Sequence, residues 1–270
     1  MVNGEFFFYR AVVGVLGSIF GSFLNVVIYR LPRRQSIVFP ASYCPSCRTP
    51  IPFYDNIPIF GYVFLGGKCR ECSAKISPLY PLIEFLTAVM AMALFGVHGL
   101  SRVFFADVTL GMILLAAAVI DMQHMIIPDR LNGAGVAIGL AFSLLHGFKG
   151  VVAAILGGLT GYLVLMGMFW LGKLLFKREG VGFGDVKLAI LMGVFLGPFW
   201  CSVALLGAIV FGGLWGISQG GLFGIVRYIL HRKVTFRQIP FGPYLAAGGF
   251  AVLFFRQHIL FLFEKYVESL

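Results

Sequence analysis

Charge is scarce in this sequence. Of its 270 residues only 12% are charged, with 11 acidic against 21 basic, where a soluble domain carries about 25%. Together with 59% hydrophobic residues and a mean hydropathy of +0.93, that shortage excludes an ordinary water-soluble globular fold and makes the bilayer the solvent. Other absences narrow the class further. There is no G-x-x-x-x-G-K-[ST] loop and no glycine fingerprint between a strand and a helix, so the nucleotide-binding reading of its glycine-rich stretch fails. No repeat of fixed period is visible, and there is no low-complexity tail. The N-terminus lacks a basic leader, because Glu5 precedes Arg10 and the apolar stretch runs on to Ile28. It therefore reads as a first membrane span rather than a cleaved signal.

What is present is a series of apolar runs. Spans of about 17–25 residues cross the hydrocarbon, and eight are expected near 11–29, 79–97, 103–121, 131–147, 150–172, 186–200, 201–220 and 240–262, the boundary near Pro198 being the least defined. With eight spans, the loops 30–78, 122–130, 173–187 and 221–239 share one side and hold 16 Lys and Arg, against five on the other. Basic residues accumulate in cytoplasmic loops, so this side is expected to be cytoplasmic and both termini to face outward. The net charge of +10 is then an orientation signal, and nucleic acid is not an expected partner. Many of the 35 glycines lie inside spans, where small residues allow close helix packing.

The one sizeable polar insertion carries Cys44-x-x-Cys47 and, after 21 intervening residues, Cys69-x-x-Cys72. Paired knuckles of this kind bring four thiolates around one zinc ion, and Arg48, Lys68 and Arg70 favour the thiolate form. Disulfides are the rival, disfavoured in a reducing compartment. Four cysteines complete the coordination sphere, so the expected zinc is structural. It would staple a segment too short to fold readily alone. Cys201, alone in a span, reads as a small buried residue.

Acidic residues in spans are expensive and point to function by default. Glu84 lies one turn into its span and is expected to cap or pair near the cysteine segment. Asp107 is expected to reach the interface. Asp121 ends "LLAAAVID", and Asp185 opens "DVKLAILMGVF". The topology puts both at the same depth on the same side. Two carboxylates brought together in a low-dielectric site share one proton near neutral pH, which is the working state of an aspartic protease. Asp129, in "IIPDRLN", competes with Asp121, but its position at a helix start is explained by N-capping. Lys187 is expected either to pair with Asp185 or to reach the headgroups.

Several stretches together resemble one family. "GFGD" (Gly182 to Asp185) is similar to the GxGD signature of intramembrane aspartic proteases, and "DMQHMIIPD" resembles the D-x₆-P-D element of type IV prepilin peptidases. "GSFLNVVIYRLP" (Gly21 to Pro32), the paired CxxC and "SPLYPLIEFLTA" (Ser77 to Ala88) look like that family's N-terminal region. The resemblance implies an all-α polytopic membrane protein of about eight spans. It would have a first span at 1–30, a zinc-stapled cytoplasmic insertion at 31–78 linked to methyl transfer, and an aspartic peptidase core at 79–270. It implies Asp121 and Asp185 as the catalytic pair, supported by Gly182, Gly184 and Lys187, with Gly180, Gly182 and Gly184 giving room for a substrate strand. It implies Cys44, Cys47, Cys69 and Cys72 as the metal ligands. The expected activity is bifunctional. The basic leader is cut from prepilins and pseudopilins at the cytoplasmic face of the bacterial inner membrane. The new N-terminal residue, usually Phe, is then methylated from S-adenosylmethionine, for which no binding residue is legible. The alternatives are a peptidase without methylation and a proton-coupled transporter.

Overall fold

The computed structural model describes residues 2–176, 182–231 and 240–268, except the side chains of 2–5, 175–176, 213–231, 262–264 and 266–268. Every named element is a helix: α1 (Val2–Arg30), α2 (Phe60–Phe64), α3 (Leu79–His98), α4 (Arg102–His124), α5 (Asp129–Leu144), α6 (Gly147–Phe176), α7 (Phe183–His231) and α8 (Gly242–Glu268). Large apolar side chains face outward along them, among them Phe7, Phe148, Leu174, Phe199 and Leu206. A surface of that kind is tolerated in lipid and not in water. The protein is a multi-pass membrane protein.

The chain forms two compact units, Met1–Met112 and Ile113–Leu270. In the first, α1 packs antiparallel to α3 along a glycine stripe. A Cβ on Gly14 would lie 2.8 Å from the Met92 Sδ, one on Gly17 2.9 Å from the Thr87 carbonyl, and one on Gly21 2.8 Å from the Glu84 Cα. Small residues at this spacing bring the two backbones almost into contact. Asp107, expected to reach the interface, is 4% exposed, with Oδ2 3.1 Å from the His98 Nε2. Burial with a basic partner lowers the cost of an acid in a span.

In the second unit, α6 crosses α7 antiparallel, with Gly157 against Gly193 and Gly161 against Ala189, while α5 runs parallel to the start of α7, with Gly135 against Leu191 and Gly139 against Phe195. Six helices are long and apolar enough to cross a membrane among the described residues. The expected eight spans differ at two places. α5 has 16 residues, about 24 Å of helix, which is short of a hydrocarbon core of about 30 Å. The expected spans 186–200 and 201–220 belong to one helix, α7, with Pro198 inside it. That helix is not straight. Gly197 has φ +73°, and the Cys201 Sγ lies 3.9 Å from the Ala189 carbonyl, twelve residues away, where a straight helix would separate them by about 18 Å. The chain doubles back at Gly197–Pro198. Cys201 itself is fully buried.

Candidate functional site

The GxGD loop is a helix start. Gly182 stands just before α7, so Asp185 occupies the third helical position. The Gly182 amide donates to the Asp185 Oδ2 at 3.0 Å, while the Asp185 amide donates to the Gly182 carbonyl at 3.1 Å. This is the reciprocal half of a capping box, in which an acid at the third position reaches back to the N-cap amide. The glycines serve this packing. A Cβ on Gly182 would lie 3.1 Å from the Asp185 Oδ2, and one on Gly184 would lie 3.3 Å from the Ile127 Cβ. Gly182 itself is exposed and Gly184 half-buried, so the nearest neighbour is the Asp185 carboxylate at the first position and Ile127 at the second. Gly180 lies outside the described residues.

Asp121 sits one turn before the end of α4, which closes where Met125 takes φ +56° and donates its amide to the Asp121 carbonyl at 2.9 Å. Its side chain meets the far end of the sequence. The Gly242 amide, at the start of α8, donates to the Asp121 Oδ2 at 2.8 Å. The first four amides of a helix have no partner within it, so Asp121 takes one of those of α8 as Asp185 takes the amide that precedes α7. Both acids are buried, at 6% and 7% exposure, and the start of α7 that carries Asp185 lies against Ile127, just past the end of α4 that carries Asp121. Two carboxylates 64 residues apart in sequence therefore lie at adjoining helix ends, each with one oxygen held by a backbone amide at a helix N-terminus. Gly242 was not legible as a site residue. Its only signal is the "GP" dipeptide that opens a helix.

Lys187 and Asp129 part from expectation together. Pro128, not Asp129, is the N-cap of α5, and no side chain caps it. Asp129, at the first helical position, pairs with the Lys187 Nζ at 2.6 Å. Lys187 thus pairs neither with Asp185 nor with headgroups alone. The Pro128 carbonyl takes the Leu131 amide at 3.0 Å, and the Asp129 carboxylate faces a cation rather than the helix start.

The four insertion cysteines converge. All their sulfurs lie within 4.8 Å of one another, with Cys44 to Cys72 at 3.8 Å and Cys47 to Cys69 at 4.0 Å. Disulfide sulfurs are about 2.05 Å apart, so none of these is bonded. A tetrahedral thiolate site with metal–sulfur bonds of about 2.3 Å needs sulfurs about 3.8 Å apart, and the cluster fits a metal ion. The two knuckles have the same build. In each, the first cysteine's amide bonds the carbonyl five residues on, Cys44 to Thr49 at 3.0 Å and Cys69 to Ala74 at 2.9 Å. The residue after the second cysteine, Arg48 or Ser73, is left-handed. The Thr49 hydroxyl and amide draw the Cys47 thiol down to about 6, and the Cys72 and Glu71 amides lower that of Cys69. Arg70 clamps Asp55 through two bonds of 2.8 and 2.5 Å, which holds the Asp55 carboxyl below its ordinary range and ties the segment between the knuckles to the second one. Glu84 pairs toward this segment as expected: its Oε2 accepts the Ile59 amide at 2.7 Å.

A multi-pass helical membrane protein with two buried aspartates held by helix N-terminal amides, and a four-thiolate insertion, has the build of an intramembrane aspartic peptidase. The comparisons agree. Residues 15–97 match the bacterial peptidase A24 N-terminal domain, and residues 108–217 match the type IV leader peptidase family. The chain is 36% identical to the prepilin leader peptidase/N-methyltransferase of Aeromonas salmonicida, across 94% of this chain and 93% of that one. It is 35% identical to the same-named protein of Burkholderia pseudomallei, across 89% and 84%, and 34% identical to that of Neisseria gonorrhoeae, across 89% and 88%. No solved structure matches. This chain belongs to the type IV leader peptidase family.

Proposed function

We propose that this protein is a bifunctional prepilin leader peptidase and N-methyltransferase. It cuts the basic leader from prepilins and pseudopilins and methylates the exposed N-terminal residue, usually Phe. The observation that carries the first activity is that Asp121 and Asp185 are both buried and each is anchored by a helix-terminal amide. In such a pair one carboxylate takes a proton from water as its oxygen attacks the scissile carbonyl, and the other, protonated, gives its proton to the carbonyl oxygen. Collapse of the tetrahedral intermediate returns a proton to the leaving amine. The backbone amides fix the two carboxyl groups, so little reorganisation is needed as charge moves.

The cysteine cluster is read as a structural zinc site. Its four sulfurs leave no open position for water, and its two matched knuckles join a short segment rich in proline and glycine. The chain is read as spanning the bacterial inner membrane eight times, with the 31–78 insertion and both aspartates at the cytoplasmic face. The reversal at Gly197 divides α7 into two segments, and these together with α5 bring the six long helices to the eight expected, α5 and the segment 183–197 being shorter than a full crossing. S-adenosylmethionine is the methyl donor in this reading.

The test is cleavage of a prepilin in membranes by Asp121→Asn and Asp185→Asn proteins. Each substitution keeps shape and removes the titrating oxygen, and each is expected to lower cleavage by at least about a thousandfold. Wild-type cleavage by either variant would refute the pair. The mass of the processed pilin reads the second activity at the same time, through the presence of the added methyl group.

A further inference from the structure

Two stretches that resemble the family, "GSFLNVVIYRLP" and "SPLYPLIEFLTA", play no part in the aspartate pair or in metal ligation. The first unit brings them together. The last turns of α1 and the first turns of α3 wall a cavity of about 440 Å³, closed on its other side by the cysteine insertion. That is the size of a small-molecule site.

Its floor is polar and buried. Asn25 and Glu84 are 6% and 8% exposed. The Asn25 amide donates to the Tyr80 carbonyl at 3.0 Å, and the Glu84 carboxylate is approached by the Ser22 and Asn25 side chains from α1. The Ile59 amide donates to the Glu84 Oε2 from the insertion. Ile59 has φ +64°, and the Phe60 amide bonds the Pro58 carbonyl at 2.6 Å across it. This is the positive-φ γ-turn, which is rare and strained, at a β-branched residue where it is least tolerated. Local strain of this kind persists where surrounding structure enforces it, commonly at ligand sites. The walls add aromatic faces, Tyr62 and Tyr80 among them. A second cavity, of about 600 Å³, adjoins the first, sharing Ser22, Val26 and Arg30 and lined by Ile19 and Phe23.

We propose that this cavity is the methyl-donor site, holding S-adenosylmethionine against Glu84, Asn25 and the tyrosine rings. The proposal rests on the methyltransferase reading above. A buried carboxylate suits the ribose hydroxyls of a nucleoside, and tyrosine faces attract a sulfonium cation. The bound donor supplies a methyl group: the sulfur–methyl bond breaks with its electrons left on sulfur, the amine lone pair forms the new carbon–nitrogen bond, and the resulting ammonium loses a proton to solvent. The chain's own contribution is positional. α1 and α3 are locked backbone to backbone at Gly21, the insertion is clamped over them through Ile59, and the adjoining apolar cavity offers the acceptor's side chain a seat beside the same wall.

The test is binding, read apart from turnover. Detergent-purified, zinc-loaded full-length protein is dialysed against labelled S-adenosylmethionine. Wild-type protein is expected to bind saturably. Glu84→Gln, which keeps an acceptor for the Ile59 amide, and Asn25→Ala are expected to bind at least about tenfold more weakly while keeping their zinc and melting temperature. A photoreactive adenosyl analogue on wild-type protein, which needs no variant to fold, is expected to label peptides within residues 22–84. Undiminished binding by both variants, or label confined to 113–270, overturns the site but leaves the second activity standing if processed pilin still carries the methyl group. Wild-type protein that neither binds nor methylates overturns both.

Discussion

The Gly242 amide holds the Asp121 carboxylate at 2.8 Å across 121 residues of sequence. A Cβ at Gly242 would lie 2.8 Å from the Asp121 Oδ2 and 3.2 Å from its Cγ. Gly242→Ala is therefore expected to push Asp121 out of register with Asp185 without removing any titrating group. Displacements near 1 Å in a reacting constellation cost about a hundredfold, so prepilin cleavage is expected to fall by about ten- to a hundredfold. A Gly242→Ala protein that cleaves at the wild-type rate would show that this amide does not position the acid.

Asp129 and Lys187 form a pair at the edge of the site with the carboxylate 75% exposed. Exposed pairs contribute about 0–1 kcal/mol. Asp129→Asn is expected to lower stability by no more than that, with the difference shrinking in high salt, and to retain cleavage. Loss of cleavage comparable to that of Asp121→Asn would transfer the catalytic role to Asp129.

The zinc ion proposed for the insertion is expected to be released on acidification. The Cys47 thiol is depressed from 9.0 to about 6, first by the Thr49 hydroxyl and then by the Thr49 amide. A depressed group contributes fully above its unfolded value, and the contribution is gone once pH has fallen through the folded value, here between 9 and about 6. Protons then compete directly with the metal for this ligand. Thr49→Val removes the hydroxyl donor at nearly constant volume and is expected to move half-release, read with a metallochromic dye, to higher pH. An unchanged midpoint would remove Thr49 from the account.

Gly157 and Gly193 mark the closest approach of α6 and α7, where a Cβ on either would overlap the carbonyl of the other. Gly193→Val is expected to force the helices apart at a cost of about 1–3 kcal/mol or more. A lower melting temperature in detergent would register this, and an unchanged one would contradict the crossing.

Composition and spacing were enough for the solvent, the helices, the cysteine cluster and the presence of two acids within the helical core, because each depends on residue type in a local pattern. Apolar runs of bilayer length must be helical, since lipid offers no partner for a backbone amide. A doubled C-x-x-C announces a thiolate site wherever it folds, and an acid in an apolar run is too costly to be incidental. The reversal inside α7 was legible only as an uncertain boundary near Pro198, because nothing in a continuous apolar run states that the chain turns at Gly197. Partner choice was beyond local reading altogether. That Gly242 serves Asp121, that Lys187 takes Asp129, and that Glu84 meets Ser22, Asn25 and Ile59 all follow from which helix faces touch. Helix packing brings these faces together across tens to more than a hundred residues, through glycines that look alike in sequence and differ only in what lies opposite them.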